Sequence, residues 1–117
     1  MKGPQLGADA FLVCYGLRWD VSADNQEEVT LLERRQDPRQ VAARGQHLDT
    51  WWGATAAEGQ YFILVGKLLG HFGWENQHAS RCDDEELARI IEETKVKLLA
   101  AGFDATPAWH FQFEPDY

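Results

Sequence analysis

Side chains able to recognise or react gather between Asp37 and Trp74, a stretch with three of the five tryptophans and six of the ten glycines. Arg39 and Arg44 carry planar guanidinium forks that match a carboxylate or phosphate through two parallel hydrogen bonds. Each also has an acid close by, Asp37 and Asp49. With 19 acidic against 11 basic residues, an internal ion pair is the simpler expectation for both. The Trp51-Trp52-Gly53 step is the sharpest feature. Adjacent residues of an extended segment face opposite ways, so one indole can enter the core while the other stays open. An open Trp beside Arg39, Arg44 or His47 has the composition of a binding hot spot. Packing of both rings is the more frequent outcome, because Trp is highly buried on average. Tyr61, Lys67 and His71 continue the candidate region, and with Trp51 and Trp52 they outline a pocket as an alternative.

Covalent and metal chemistry find less support. Cys14 falls in an apolar strand pattern. Cys82 stands beside Asp83, Asp84 and Glu85, whose charges oppose a thiolate, so neither cysteine reads as a nucleophile. His71, Glu75, His78, Cys82 and Asp83 are ligand types, but no CxxC or HExxH spacing accompanies them, and a polar loop is the better reading. Gly66-Lys67 and Gly70-His71-Phe72-Gly73 match no phosphate-binding glycine motif. No catalytic residue, metal ligand or cofactor is assigned.

These residues need elements to hold them. Phe11, Val13, Tyr15, Leu17, Trp19 and Val21 alternate with their neighbours at period two, which predicts a strand that emerges from the sheet at Arg18. Ser22 or Asp24 can cap a short helix with Glu27 and Glu28 in its first turn and Arg34-Arg35 near its end. Asp37-Pro38 opens a second helix, with Val41, Ala42 and Leu48 facing inward and Gly45 ending it. Tyr61 to Val65 reads as a central strand, and Gly66 and Gly70 mark a bulge or a turn into a short strand near His71-Phe72. Asp83 to Ala101 is the clearest helix: Leu87, Ile90, Ile91, Thr94, Leu98 and Ala101 share a face, and Asp83 with Glu86 forms a capping box. Gly102 reads as its left-handed cap, with Phe103 packing back. Beyond Pro107, a last strand turns Trp109, Phe111 and Phe113 one way and His110 and Gln112 the other.

The fold class that follows is α/β or α+β, a single-domain two-layer sandwich. A small mixed sheet of three to four strands is packed by the long helix of the C-terminal half and by shorter helices. Residues 1–8 are expected to fray, and residues 9–117 form one globular domain. A hydrophobic fraction of 44% with six Phe and five Trp suffices for a core without disulfides. The formal charge of −8 argues against nucleic-acid binding and suits a protein partner with a basic surface. Neither a signal peptide nor a run of membrane-spanning length is visible, so the expected location is cytoplasmic.

The leading expectation is a non-catalytic binding module that engages a protein partner through the Trp51-Trp52 patch. Neutralising a basic enzyme or toxin is one role of that kind. The alternative is a ligand-binding or enzymatic domain with a pocket near Trp51, Trp52, Tyr61, Lys67 and His71. A third is a homo-oligomer subunit paired through the Trp109-Phe111-Phe113 edge.

Overall fold

Thirteen residues of alternating pattern form the first strand, β1 (Ala10–Ser22), in a computed structural model that describes residues 9–73 and 77–115. The expected frayed segment 1–8 and Glu75 of the polar loop lie outside the described residues. After β1 come two eight-residue helices, α1 (Gln26–Glu33) and α2 (Pro38–Gly45). Then follow β2 (Asp49–Ala54), β3 (Gln60–Gly73), α3 (Asp84–Ala100) and β4 (Ala108–Glu114).

Local chemistry explains most boundaries. α1 starts one residue later than expected from Asp24, at Asn25, whose side chain accepts the Glu28 N–H. It ends at Glu33, so Arg34 and Arg35 lie just past its last turn. Asp37 caps α2 with Pro38 at the first turn, and Gln40 returns the bond to the Asp37 N–H at 3.1 Å. Asp83 and Glu86 form the expected capping box on α3. Gly102 follows α3 at φ 91°, and the Phe103 N–H reaches the Leu98 carbonyl, as a left-handed helix end requires.

The four strands order as β2-β3-β1-β4, and every neighbouring pair is antiparallel. The expected mixed sheet is therefore corrected. β1 and β2, joined through two helices, do run the same way, but β3 inserts between them and opposes both. β3 is also one strand and not two. A register shift at Val13/Cys14 lets it run through Lys67–Gly70, so the anticipated short strand at His71-Phe72 is its far end.

The sheet is sharply creased. Trp51 of β2 pairs with Leu64, whose partner on β1 is Arg18, whereas Glu114 of β4 pairs with Ala10 at the opposite end of β1. In a flat sheet those two positions would lie about 30 Å apart. Yet the Trp51 indole Nε1 donates to the Glu114 carboxylate at 3.2 Å. The β1–β3 ribbon must therefore fold over, and the crease lies where Gly16 faces Gly66 in the register. A Cβ on Gly16 would collide with the Val65 carbonyl oxygen and sit 2.7 Å from the Gly66 Cα, and a Cβ on Gly66 would meet Tyr15 and Gly16 in the same way. Only two glycines permit so close a crossing.

Two cores follow. On the helix side, Leu17, Val21, Ile63 and Val65 pack with Leu32 of α1, Ala43 of α2 and Leu98 of α3. Inside the crease, Leu12, Cys14, Phe62 and Leu64 form a second cluster, flanked by Trp51 and Leu68. Arg18 does not emerge from the sheet as expected. Its guanidinium stays over the Phe62 ring at 5.8 Å and bonds Gln112 at 2.6 Å, on the creased side. Val41, expected inward, is half exposed, and Ala43 takes its place in the core.

Candidate functional site

Two short helices and an edge strand meet beside Trp51 and Trp52. Asp37 is the node of this corner, only 3% exposed. Its carboxylate accepts from the Arg39 backbone N–H at 2.9 Å, from Arg39 Nε at 2.8 Å and from Nη2 at 2.9 Å. Arg39 also pairs with Glu28 of α1 and lies 5.3 Å from the Trp19 ring centroid. The hydrogen bonds from Arg39 hold the Asp37 carboxyl below its ordinary range, and the same bonds raise the guanidinium in turn. Arg39 is thus occupied in tying α1 to α2, the internal pairing foreseen for it.

Arg44 behaves differently. Its sequence neighbour Asp49 accepts the Leu68 N–H at 2.8 Å instead. Arg44 lines a groove of about 400 Å³ together with Arg35, Gln40, Thr50, Trp51 and Trp52. Neither Arg35 nor Arg44 has an ion pair or side-chain hydrogen bond among the described residues. Gln40 is fixed at the base of the groove by its bond to the Leu32 carbonyl. Arg35 stands at φ 59°, an unusual conformation for a residue with a side chain, in the tight turn between α1 and the Asp37 cap.

The groove joins three anticipated residues, Arg44, Trp51 and Trp52, with three that sequence reasoning missed. In the sequence Arg35 reads as a charge complementing the end of α1. A signal for its other role was available: Asp37-Pro38 begins the next helix so soon that the intervening residues must turn sharply. Nothing in the pattern marks Gln40 or Thr50.

The remaining anticipated residues are dispersed. Trp51 lies on the creased side, its ring 4.6 Å from that of His71. Trp52 points to the helix side and meets Tyr61 edge-on at 5.7 Å. Lys67 is exposed on β3, and His47 is exposed in the turn before β2 at φ 58°. The five residues of the alternative pocket are therefore divided between two faces of one sheet. Among the described residues His71 Nε2 is buried without a hydrogen bond, and it lies 3.5 Å from a Glu114 oxygen. Trp51, His71 and Glu114 thus meet on the creased side.

Burial pushes the Cys14 thiol up to about 12, with the charge of Asp49 adding to the effect, so it is protonated at neutral pH. Among the described residues no three His, Cys, Asp or Glu side chains are placed to hold a metal ion, and no helix is long and apolar enough to cross a membrane. No protein-family model matches the chain, and no curated protein or solved structure matches it either.

Proposed function

We propose that this protein is a non-catalytic binding module that accepts a carboxylate-bearing segment of a partner protein in the groove between α1, α2 and β2. One observation carries the reading: Arg35 and Arg44, whose guanidiniums have no internal partner among the described residues, line one groove with Trp51 and Trp52 in a chain of net charge −8. Four of the 11 basic residues fall between Arg34 and Arg44. Two of these, Arg35 and Arg44, line the groove, whereas Arg39 is taken up by Asp37 and Glu28. Net charge suggested a partner with a basic surface; the groove favours an acidic anchor at the contact itself. Arginine and tryptophan are the residue types that dominate binding hot spots, and a guanidinium freed from internal pairing can take a carboxylate in bidentate fashion. Two free thiols, Cys14 and Cys82, fit action in a reducing compartment such as the cytoplasm. The alternative pocket has less support, because Trp51 with His71 and Trp52 with Tyr61 lie on opposite faces.

The test is a tryptophan-fluorescence titration with a glutamate-rich peptide and a lysine-rich peptide of equal length. Saturable change is expected with the acidic peptide alone, weakened at least tenfold in Arg35→Ala/Arg44→Ala. Equal responses to both peptides, or an unchanged response in the double variant, would refute it.

A further inference from the structure

The crease gathers three side chains from three strands. The rings of His71 on β3 and Trp51 on β2 lie 4.6 Å apart, and both oxygens of Glu114 on β4 accept the indole Nε1–H, at 3.2 and 3.3 Å. While the imidazole is neutral, two groups here are short of partners. His71 Nε2 is buried with no hydrogen bond among the described residues. The half-buried Glu114 carboxylate has the uncharged indole as its one donor among those residues. A buried polar atom without a partner, and a charge served by a single neutral donor, both cost free energy.

One proton answers both. On Nε2 it faces Glu114 Oε1, 3.5 Å away. Charge-assisted N–H···O bonds lie at about 2.7–2.9 Å, so a ring movement of under about 1 Å completes one, and Oε2 remains for the indole. The protonated ring also stays within the range of about 6 Å at which an aromatic ring attracts a cation. The other titratable groups of the surrounding elements are engaged or exposed. On β1, Arg18 bonds Gln112 and Asp20, the Cys14 thiol stays protonated, and Asp9 just before the strand is exposed. On β2, Asp49 accepts the Leu68 N–H, and on β4, His110 Nε2 lies 3.1 Å from the Gly16 carbonyl. Lys67 of β3 is exposed, as are His78 and Arg81 in the loop beyond it. Among the described residues Glu114 is the carboxylate within ion-pair distance of His71.

We infer that His71 is a proton-operated latch: protonated, it bonds Glu114 and clamps Trp51 across the crease, and neutral, it leaves the indole on the carboxylate alone. β2 and β4 are the two outer strands of the sheet, so the latch ties its edges together where the fold brings them close. Trp51 also lines the groove between α1, α2 and β2, and the proton thereby sets how firmly one wall of that groove is held.

Nitrogen-15 NMR of the full chain between about pH 8 and pH 5, the range in which histidine changes charge, tests this. Trp51→Phe identifies the Trp51 indole signal, and the indoles of Trp19, Trp52 and Trp109 report whether each variant keeps the fold. In the wild type the Trp51 indole N–H should move along one sigmoid. On the acid side a His71 Nε2–H signal protected from water should appear, because a proton held in a buried charge-assisted bond exchanges slowly. In His71→Gln the Trp51 signal should stay fixed. Glu114→Gln keeps an oxygen for the indole and removes the charge, so the protected Nε2–H should be lost. A wild-type Trp51 signal that ignores pH, or a wild type with no protected Nε2–H at pH 5, overturns the inference without any variant. So does a Trp51 shift that persists in His71→Gln, or a protected Nε2–H that survives in Glu114→Gln.

Discussion

Replacing Gly16 with alanine and Gly45 with alanine is the same chemical change with opposite expected signs. At Gly16 the new methyl would meet backbone on every side: the Val65 carbonyl oxygen, the Gly66 Cα at 2.7 Å and the Val65 carbonyl carbon at 2.9 Å. None of these can rotate aside, so β1 and β3 must separate at the crease and weaken the ladder there. Overpacking of this kind costs about 1–3 kcal/mol where side chains can adjust. With only backbone to move, the upper end, about 3 kcal/mol, is expected. At Gly45 no atom lies within 4 Å of the added carbon. There alanine should stabilise the last turn of α2 by about 0.5–1 kcal/mol through its lower backbone entropy. For a chain of this length about 4 °C accompanies each kcal/mol, so Gly16→Ala should lower the melting temperature by about 12 °C and Gly45→Ala should raise it by about 2–4 °C. Differential scanning calorimetry on the three proteins reads both. A loss under about 3 °C at Gly16 would refute the crease as a steric necessity, since 3 °C is below 1 kcal/mol.

The other predictions concern ionisable groups. Asp37→Ala should cost about 2–3 kcal/mol in urea unfolding, through the lost helix cap and the lost partner of Arg39. Because the Asp37 carboxyl is held below its ordinary value, its contribution is complete above about pH 4 and is lost as pH falls through the lower folded value. The gap between wild type and variant should therefore narrow on acidification towards about pH 3; a gap independent of pH would contradict it. With the Cys14 thiol raised to about 12, a disulfide-exchange reagent at mildly alkaline pH should modify one cysteine, Cys82, in the native protein and both in denaturant. Prompt native reaction of two thiols would show Cys14 to be accessible.

What was legible in the sequence is what depends on near neighbours. Asp37-Pro38, and Asp83 with Glu86, announce their helices because the signals that start a helix lie within four residues of one another. The period-two pattern of Phe11 to Val21 and of Trp109 to Phe113 revealed strands for the same reason. The crease was not legible, because it depends on Gly16 meeting Gly66 across the sheet, and each alone looks like any turn or bulge glycine. Every misplaced residue on the creased side follows from that omission. A flat strand would carry Arg18 into water; in a folded one it covers Phe62. In the candidate site the reading found the indoles and Arg44. It could not tell Arg39 from Arg44, since both have an acid near in sequence and only the three-dimensional arrangement decides which pair forms.

The bond from Trp51 to Glu114 also bears on the time course of folding. It joins residues 63 apart, and the Arg18–Gln112 bond beside it spans 94. Only β2 and β3 pair with a neighbour in sequence; the rest of the sheet waits on contacts that close long loops, a topology whose members fold in milliseconds to seconds and not microseconds. The closing of the crease requires all four strands, so it is expected late, after the rate-limiting barrier. Interactions formed after the barrier leave the folding rate almost unchanged and act on the rate of unfolding. The Trp51–Glu114 bond would then govern how long the native state lasts, and scarcely how soon it is reached.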